Sequence, residues 1–116
     1  MAREASAASV LASENCVERL AQLFPNAIAI RIPVRVTTIS SGRASLEEKT
    51  VIEFGTASEV LFASELPLEF EDCLELKNSD GSLDAQATVV AVRYHEGRKA
   101  VAARFVNEVG NWIIKP

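Results

Sequence analysis

Two arginines four residues apart, Arg31 and Arg35, are the side chains of this 116-residue sequence best suited to chemistry, and that chemistry is anion binding. A guanidinium presents a planar fork of donors, gives two parallel hydrogen bonds to one oxyanion, and keeps its charge at any physiological pH. Arg93, Arg98, Lys99 and Arg104 gather near the end of the chain. Ordinary strand-exterior charge explains that group, although Arg104 could help neutralise a ligand held by Arg31. His95, beside Glu96 and next to a Gly-containing turn, has no companion at metal-ligand or catalytic spacing and reads as a solvent-exposed turn residue. A general acid, base or nucleophile needs convergent partners in a pocket. The sequence offers none, so no catalytic residues and no enzyme are expected.

Cys16 and Cys73 stand alone, without a C-x-x-C pair, so a structural metal is not expected and both read as reduced thiols serving as small apolar side chains. The acidic residues Glu65, Glu69, Glu71, Asp72, Glu75, Asp80 and Asp84 lack the alternating ligands and internal Gly of a calcium loop. They read as a solvated face, with a docking surface for a basic partner as the sharper alternative. A net charge of −4 argues against a nucleic-acid polymer as partner, since such binding needs a basic surface to displace counterions. No apolar run approaches the ~20 residues of a membrane span. The Ala/Ser-rich start is a poor signal peptide. A cytoplasmic protein with no membrane partner is expected.

The elements that must position the arginines are mostly strands. From Ile28 to Val36 β-branched residues fill every even position and Ala29, Arg31, Pro33 and Arg35 the odd ones. That period of two predicts a strand with one dry face and one face bearing both guanidiniums. Pro33 has no N–H for a ladder, so it marks an edge, a bulge or a change of partner. Ahead of it, Ser13 and Glu14 suit a helix start, Pro25 marks its end, and Cys16, Val17, Leu20, Ala21 and Phe24 make one apolar stripe. The helix could reach back to about residue 4. Its stripe packs on the parent domain or, alternatively, serves self-association through residues 13–24.

Strands are expected at 46–54, 60–63, 73–77, 83–94 and 100–105. Ser40-Ser41-Gly42, Gly55–Ser58, Ser64–Pro67, Asn78–Gly81 and Glu96-Gly97 supply the turns. Leu68 and Phe70 read as a short apolar anchor. In the longest strand Ala85, Ala87, Val89 and Ala91 share one side, and Thr88, Val90, Val92 and Tyr94 the other. Both sides being apolar, it is expected to be covered twice. Trp112-Ile113-Ile114 closes the chain as an apolar clasp. Six short strands joined by tight turns are better closed than open. The predicted fold is mainly β, a six-stranded antiparallel β-barrel over 28–116 with an N-terminal α-helical segment over 1–27.

These residues carry a resemblance. An Arg-containing Ile-Pro-Val strand is followed by a small-residue turn, Val60-Leu61-Phe62 and Leu74-Glu75-Leu76. A long Ala/Thr/Val strand, a Gly-bearing turn and Ala100-Val101-Ala102-Ala103-Arg104-Phe105 complete the order. From Ile30 to Pro116 the chain resembles a PilZ domain, the bacterial six-stranded barrel module known as a receptor for cyclic di-GMP in signal transduction. The ending Asn111–Pro116 is similar to the Trp-containing end of some such domains. Two motifs carry the ligand in that family: Arg-x-x-x-Arg at the entry to the first strand, and Asp/Asn-x-Ser-x-x-Gly in the turn before the Leu-Phe strand.

Arg31 and Arg35 keep the first spacing, but within the strand. If Arg31 matches the second arginine, Ala27 stands where the first would be. In the second motif Phe54 takes the acidic position, Thr56 the Ser position and Glu59 the Gly position. Thr can replace Ser. Phe cannot replace Asp, and a carboxylate about 5 Å from an incoming phosphate, at an effective dielectric of about 20, costs about 3 kcal/mol, over a hundredfold in affinity.

The resemblance thus implies a PilZ-like regulatory or adaptor domain acting through a protein partner, with a degraded cyclic di-GMP site and no other cofactor. One alternative is a working cyclic di-GMP receptor using Arg31 and Arg35 with a non-standard turn that includes Thr56 and Ser58, and Arg104 nearby. The other is a structural or assembly subunit that oligomerises through its helix.

Overall fold

The computed structural model describes residues 16–39 and 44–115. The expected cap at Ser13 and Glu14, the helix reaching back to residue 4, and the Ser40-Ser41-Gly42 turn lie outside them. Six strands follow one another: β1 (Ile28–Ile39), β2 (Glu47–Gly55), β3 (Glu59–Ala63), β4 (Cys73–Lys77), β5 (Asp84–His95) and β6 (Arg98–Phe105). They close into an antiparallel barrel in the order β1-β2-β3-β6-β5-β4. β1 completes the ring by pairing with β2 on one side and β4 on the other.

The expected alternation in β1 holds from Ile30 onward; Ile28, expected on the dry face, is 53% exposed and lies before a bulge against β2 at Ile30 and Arg31. Val34 and Val36 are buried in the interior, Ile30 and Ile32 pack on it less completely, and Arg31 and Arg35 point out. Pairing with β2 runs from Ile28 to Thr37, whereas pairing with β4 starts only at Arg35. Pro33 therefore sits where β1 has a partner on one side alone, so its missing N–H leaves no gap in a two-sided ladder. Ile52, Val60, Phe62, Leu74, Leu76, Val89 and Val101 fill the interior, with Leu68 and Leu83 closing it from the loops and Trp112 from the C-terminal segment. Phe70, expected to share Leu68's role, is 65% exposed; only Leu68 anchors that connection.

Two further bulges, in β2 and β5, shape the outside. In β2, Glu53 is the extra residue against β3, because Ile52 faces Phe62 while Phe54 already faces Leu61. In β5, Val89 faces Ala103 and Ala91 faces Ala102, so Val90 is extra. A bulge reverses which face the following side chains occupy. Phe54 and Ala91 are thereby turned outward, and Val92 is turned in. This corrects the expected grouping of Ala91 with Ala85, Ala87 and Val89, and of Val92 with Val90: strict period two fails beyond the bulge. The connection before β4 fixes the second bulge. Glu71, with φ of 76°, donates its N–H to Val89 O at 2.8 Å, and Val89 N–H donates to Asp72 O at 2.8 Å.

The outward residues Phe54, Leu61, Ala63, Val90, Ala91, Ala100 and Ala102 form a platform across β2, β3, β6 and β5. Residues 16–21 are helical and lie on it, with Cys16, Val17 and Leu20 fully buried and Ala21 and Phe24 partly so. The run of alanines lets the segment approach closely. Full burial of a side chain the size of Val or Leu is worth about 1.5–3 kcal/mol, so Val17 and Leu20 are what hold it there. The apolar stripe is spent within the single chain, and Glu18 and Arg19 face outward. Among the described residues no helix is long and apolar enough to cross a membrane.

Candidate functional site

The β2–β3 turn is built from Thr56 outward. Its hydroxyl oxygen accepts the N–H groups of Ser58 and Glu59, at 3.1 and 2.9 Å, the local hydrogen bonding that Thr side chains offer a turn. The same hydroxyl donates to one carboxylate oxygen of Glu59. The other carboxylate oxygen accepts Nε and Nη2 of Arg104 at 3.0 and 2.8 Å. Glu59 and Arg104 face one another across the β3–β6 ladder. The Glu59 side chain is 13% exposed and that of Arg104 56%, so the pair is half in water.

The C-terminal segment locks the turn from inside. Trp112 donates its indole N–H to Thr56 O at 2.7 Å and meets Phe105 edge to face, with ring centroids 5.1 Å apart. Gly55 permits this approach, because a Cβ there would stand 2.9 Å from the Trp112 ring and 3.0–3.1 Å from Ile30 and Ile114. Ile113, expected to join the clasp, is 61% exposed; Trp112 and Ile114 do the clasping.

Thr56, Ser58 and Arg104 come together along one cleft of about 570 Å³ at this end of the barrel, bordered by the exposed Leu23 and Ile28. Arg31 does not join them. It lies at the β1–β2 bulge, where Ile30 and Arg31 oppose Glu53, in a separate depression that Glu18 also lines. Arg35 is farther along the strand, its Nε 2.7 Å from a carboxylate oxygen of Glu47. It lines a third depression with Lys49 and Lys77. The two guanidiniums of the Arg-x-x-x-Arg spacing thus serve different surroundings.

His95 ends β5 opposite Arg98 with its side chain 26% exposed, more enclosed than a free turn residue; its Nε2 is 3.7 Å from Glu96. Both cysteines are free thiols, but only Cys16 is a core residue; Cys73 is exposed. Burial pushes the Cys16 thiol up from its ordinary value, against the pull of nearby Arg98 and Arg93, so it stays protonated. Asp80 moves the other way, its carboxylate held low chiefly by the backbone N–H of Ser82 at 2.9 Å. Among the described residues no three His, Cys, Asp or Glu side chains are grouped to hold a metal.

Sequence reasoning missed three features: the Trp112–Thr56 hydrogen bond, the Glu59–Arg104 pair, and Glu48. The Glu48 carboxylate accepts the Ser64 hydroxyl at 2.6 Å and Glu65 N–H at 2.7 Å, tying β2 to the turn after β3. Opposite charge at Glu59 and Arg104 was the available signal, usable only once the β3–β6 register is known. No model of a known protein family matches the chain, and no curated protein matches it significantly.

Proposed function

We propose that this chain is a PilZ-like cytoplasmic adaptor domain that works by binding another protein and whose cyclic di-GMP site no longer takes its ligand. One observation carries the reading: Glu59 fills the turn that would receive a phosphate. It satisfies its own carboxylate with Thr56 and Arg104, the hydroxyl and the guanidinium a ligand would need. An incoming phosphate would meet that carboxylate's charge and would have to break both hydrogen bonds from Arg104 to Glu59 to reach the guanidinium. Arg31 and Arg35, lining two other depressions, leave the cleft without a second cation on β1.

The closed six-stranded barrel agrees with this reading. For a protein partner the same end of the barrel offers Leu23 and Ile28, 60% and 53% exposed, beside Arg104 and Lys115. Apolar residues next to fixed charge suit a modest protein contact. Self-association through residues 13–24 would have to take Val17 and Leu20 from the barrel. Calorimetric titration of the full chain with cyclic di-GMP tests the proposal. No binding tighter than about 10 μM, equivalent to roughly −7 kcal/mol, is expected. Tighter binding that Arg31→Ala abolishes would replace the adaptor with a receptor.

A further inference from the structure

The register of the barrel sets three cations side by side. Arg35 on β1 stands directly opposite Lys49 on β2 and directly opposite Lys77 on β4, and all three side chains are exposed. Like charges facing each other across a ladder are destabilising. The row therefore asks for a counter-charge. Beside it, where β4 ends at Lys77 and Pro33 leaves β1 without a partner on that side, the wall opens into a pocket of about 300 Å³. Its charged lining is Arg35, Lys49 and Lys77 and includes no carboxylate, in a chain with more acids than bases. The Thr56–Arg104 cleft, the Arg31 depression and two other depressions among the described residues each carry at least one carboxylate.

Neighbouring acids compensate the row only from its flank. Glu47 reaches Nε of Arg35 at 2.7 Å, and Glu75 stands 3.8 Å from Lys77. Lys49 has no ion-pair partner among the described residues. Asn78 is already engaged with Ser82 and Leu83, whereas the Ser79 hydroxyl at the pocket's edge is unbonded among the described residues.

We propose that this pocket binds a phosphate monoester. A free carboxylate carries a single charge and would compete with Glu47 and Glu75, which are already held in place at high effective concentration. A phosphate monoester brings close to two charges at neutral pH and three acceptor oxygens, enough to meet Arg35, Lys49 and Lys77 together. The volume lies at the low end of small-molecule sites, so there is room for the phosphate and a few atoms of whatever bears it. This site is separate from the Thr56–Glu59 turn and does not depend on the adaptor reading.

The test is an NMR titration of the full-length protein with methyl phosphate, a blocked phosphoserine tripeptide, the same tripeptide with Glu for phosphoserine, and cyclic di-GMP. The expected result is saturable shifts at the amides of Arg35, Lys49, Lys77 and Ser79 with both monoesters. The Glu tripeptide should bind at least tenfold more weakly. Tighter binding of the phosphotripeptide than of methyl phosphate would mark a phosphorylated protein as the source; equal binding would mark a small phosphorylated molecule. Arg35→Gln and, separately, Lys49→Gln should each weaken the monoester at least fivefold with an unchanged circular dichroism spectrum, and Arg31→Gln should not. Linear shifts without saturation, equal shifts around Arg98 and Lys99, or equal binding of the Glu tripeptide would overturn the proposal. So would binding of cyclic di-GMP at these same amides as tight as that of the monoesters.

Discussion

The barrel presents two outer faces that share an interior and little else. On one, β3, β6 and the middle of β5 show Leu61, Ala100, Ala102 and Ala91, and the helical segment covers them. On the other, β1, β2 and β4 show Arg35, Lys49 and Lys77 to solvent, with Glu47 and Glu75 one step along. A strand alternates, so its inward set constrains its outward set only in position, not in kind. Leu61, Ala100 and Ala102 reach the covered face by plain alternation, and the bulges at Glu53 and Val90 add Phe54 and Ala91 to it. The charged face draws on the part of β1 beyond its bulge at Ile30 and Arg31, where the alternation is undisturbed. Apolar cover and exposed charge are thereby separated onto opposite sides of one ring of strands.

The contrast breaks most readily at the covered face. Leu20→Ala removes a fully buried side chain from the platform. It should cost about 2–5 kcal/mol in a denaturant melt, with the mass by light scattering unchanged because the stripe is used within one chain. A changed mass would mean the stripe also joins copies. Next is the locked end of the barrel. Trp112→Phe keeps an aromatic ring against Phe105 but leaves Thr56 O without its indole donor, an expected loss of about 1–3 kcal/mol.

On the charged face Arg35→Gln should move stability by no more than about 0.5 kcal/mol, since an exposed ion pair contributes little. A loss comparable to that of Leu20→Ala would erase the distinction between the faces. The smallest effect belongs to Asp80 in the β4–β5 hairpin. Its carboxyl is held below the ordinary aspartate range by the Ser82 N–H, so its support of the turn is complete above that range and is lost as pH falls through the lower folded value. Proton-dependent shifts of the Ser82 amide should report this, with no detectable change in the melting temperature above pH 5.

Much of the barrel is legible in the sequence because β1 alternates cleanly from Ile30 on and Gly- or Asn-containing turns separate the strands. The helical stripe was legible for the same reason, since Cys16, Val17, Leu20, Ala21 and Phe24 recur at helical spacing. The bulges were not. One extra residue reverses every later assignment, and nothing local to Val90 announces it. Ala91 was therefore expected inside. Phe70 looked like an anchor because hydrophobicity alone does not say whether a connection has reached the core.

The candidate site divides in the same way. That Glu59 would oppose a ligand was readable from its charge and position in the turn. That it would also capture Arg104 depends on which strands are neighbours, a property of topology rather than of spacing. The cation row is the strongest case. Lys49, Arg35 and Lys77 lie far apart along the chain, and only the closure of β1 against both β2 and β4 aligns them.

The occupied turn is tested most directly by the amide resonances of Ser58 and Glu59, recorded while cyclic di-GMP is added to the full-length protein. Both N–H groups are already given to the Thr56 hydroxyl, and Glu59 is held by Arg104. Neither resonance is expected to move at ligand concentrations up to about 100 μM, some tenfold above the affinity limit expected of an adaptor. Saturating shifts of both resonances, accompanied by release of the Arg104 Nε–H from its carboxylate, would contradict that expectation.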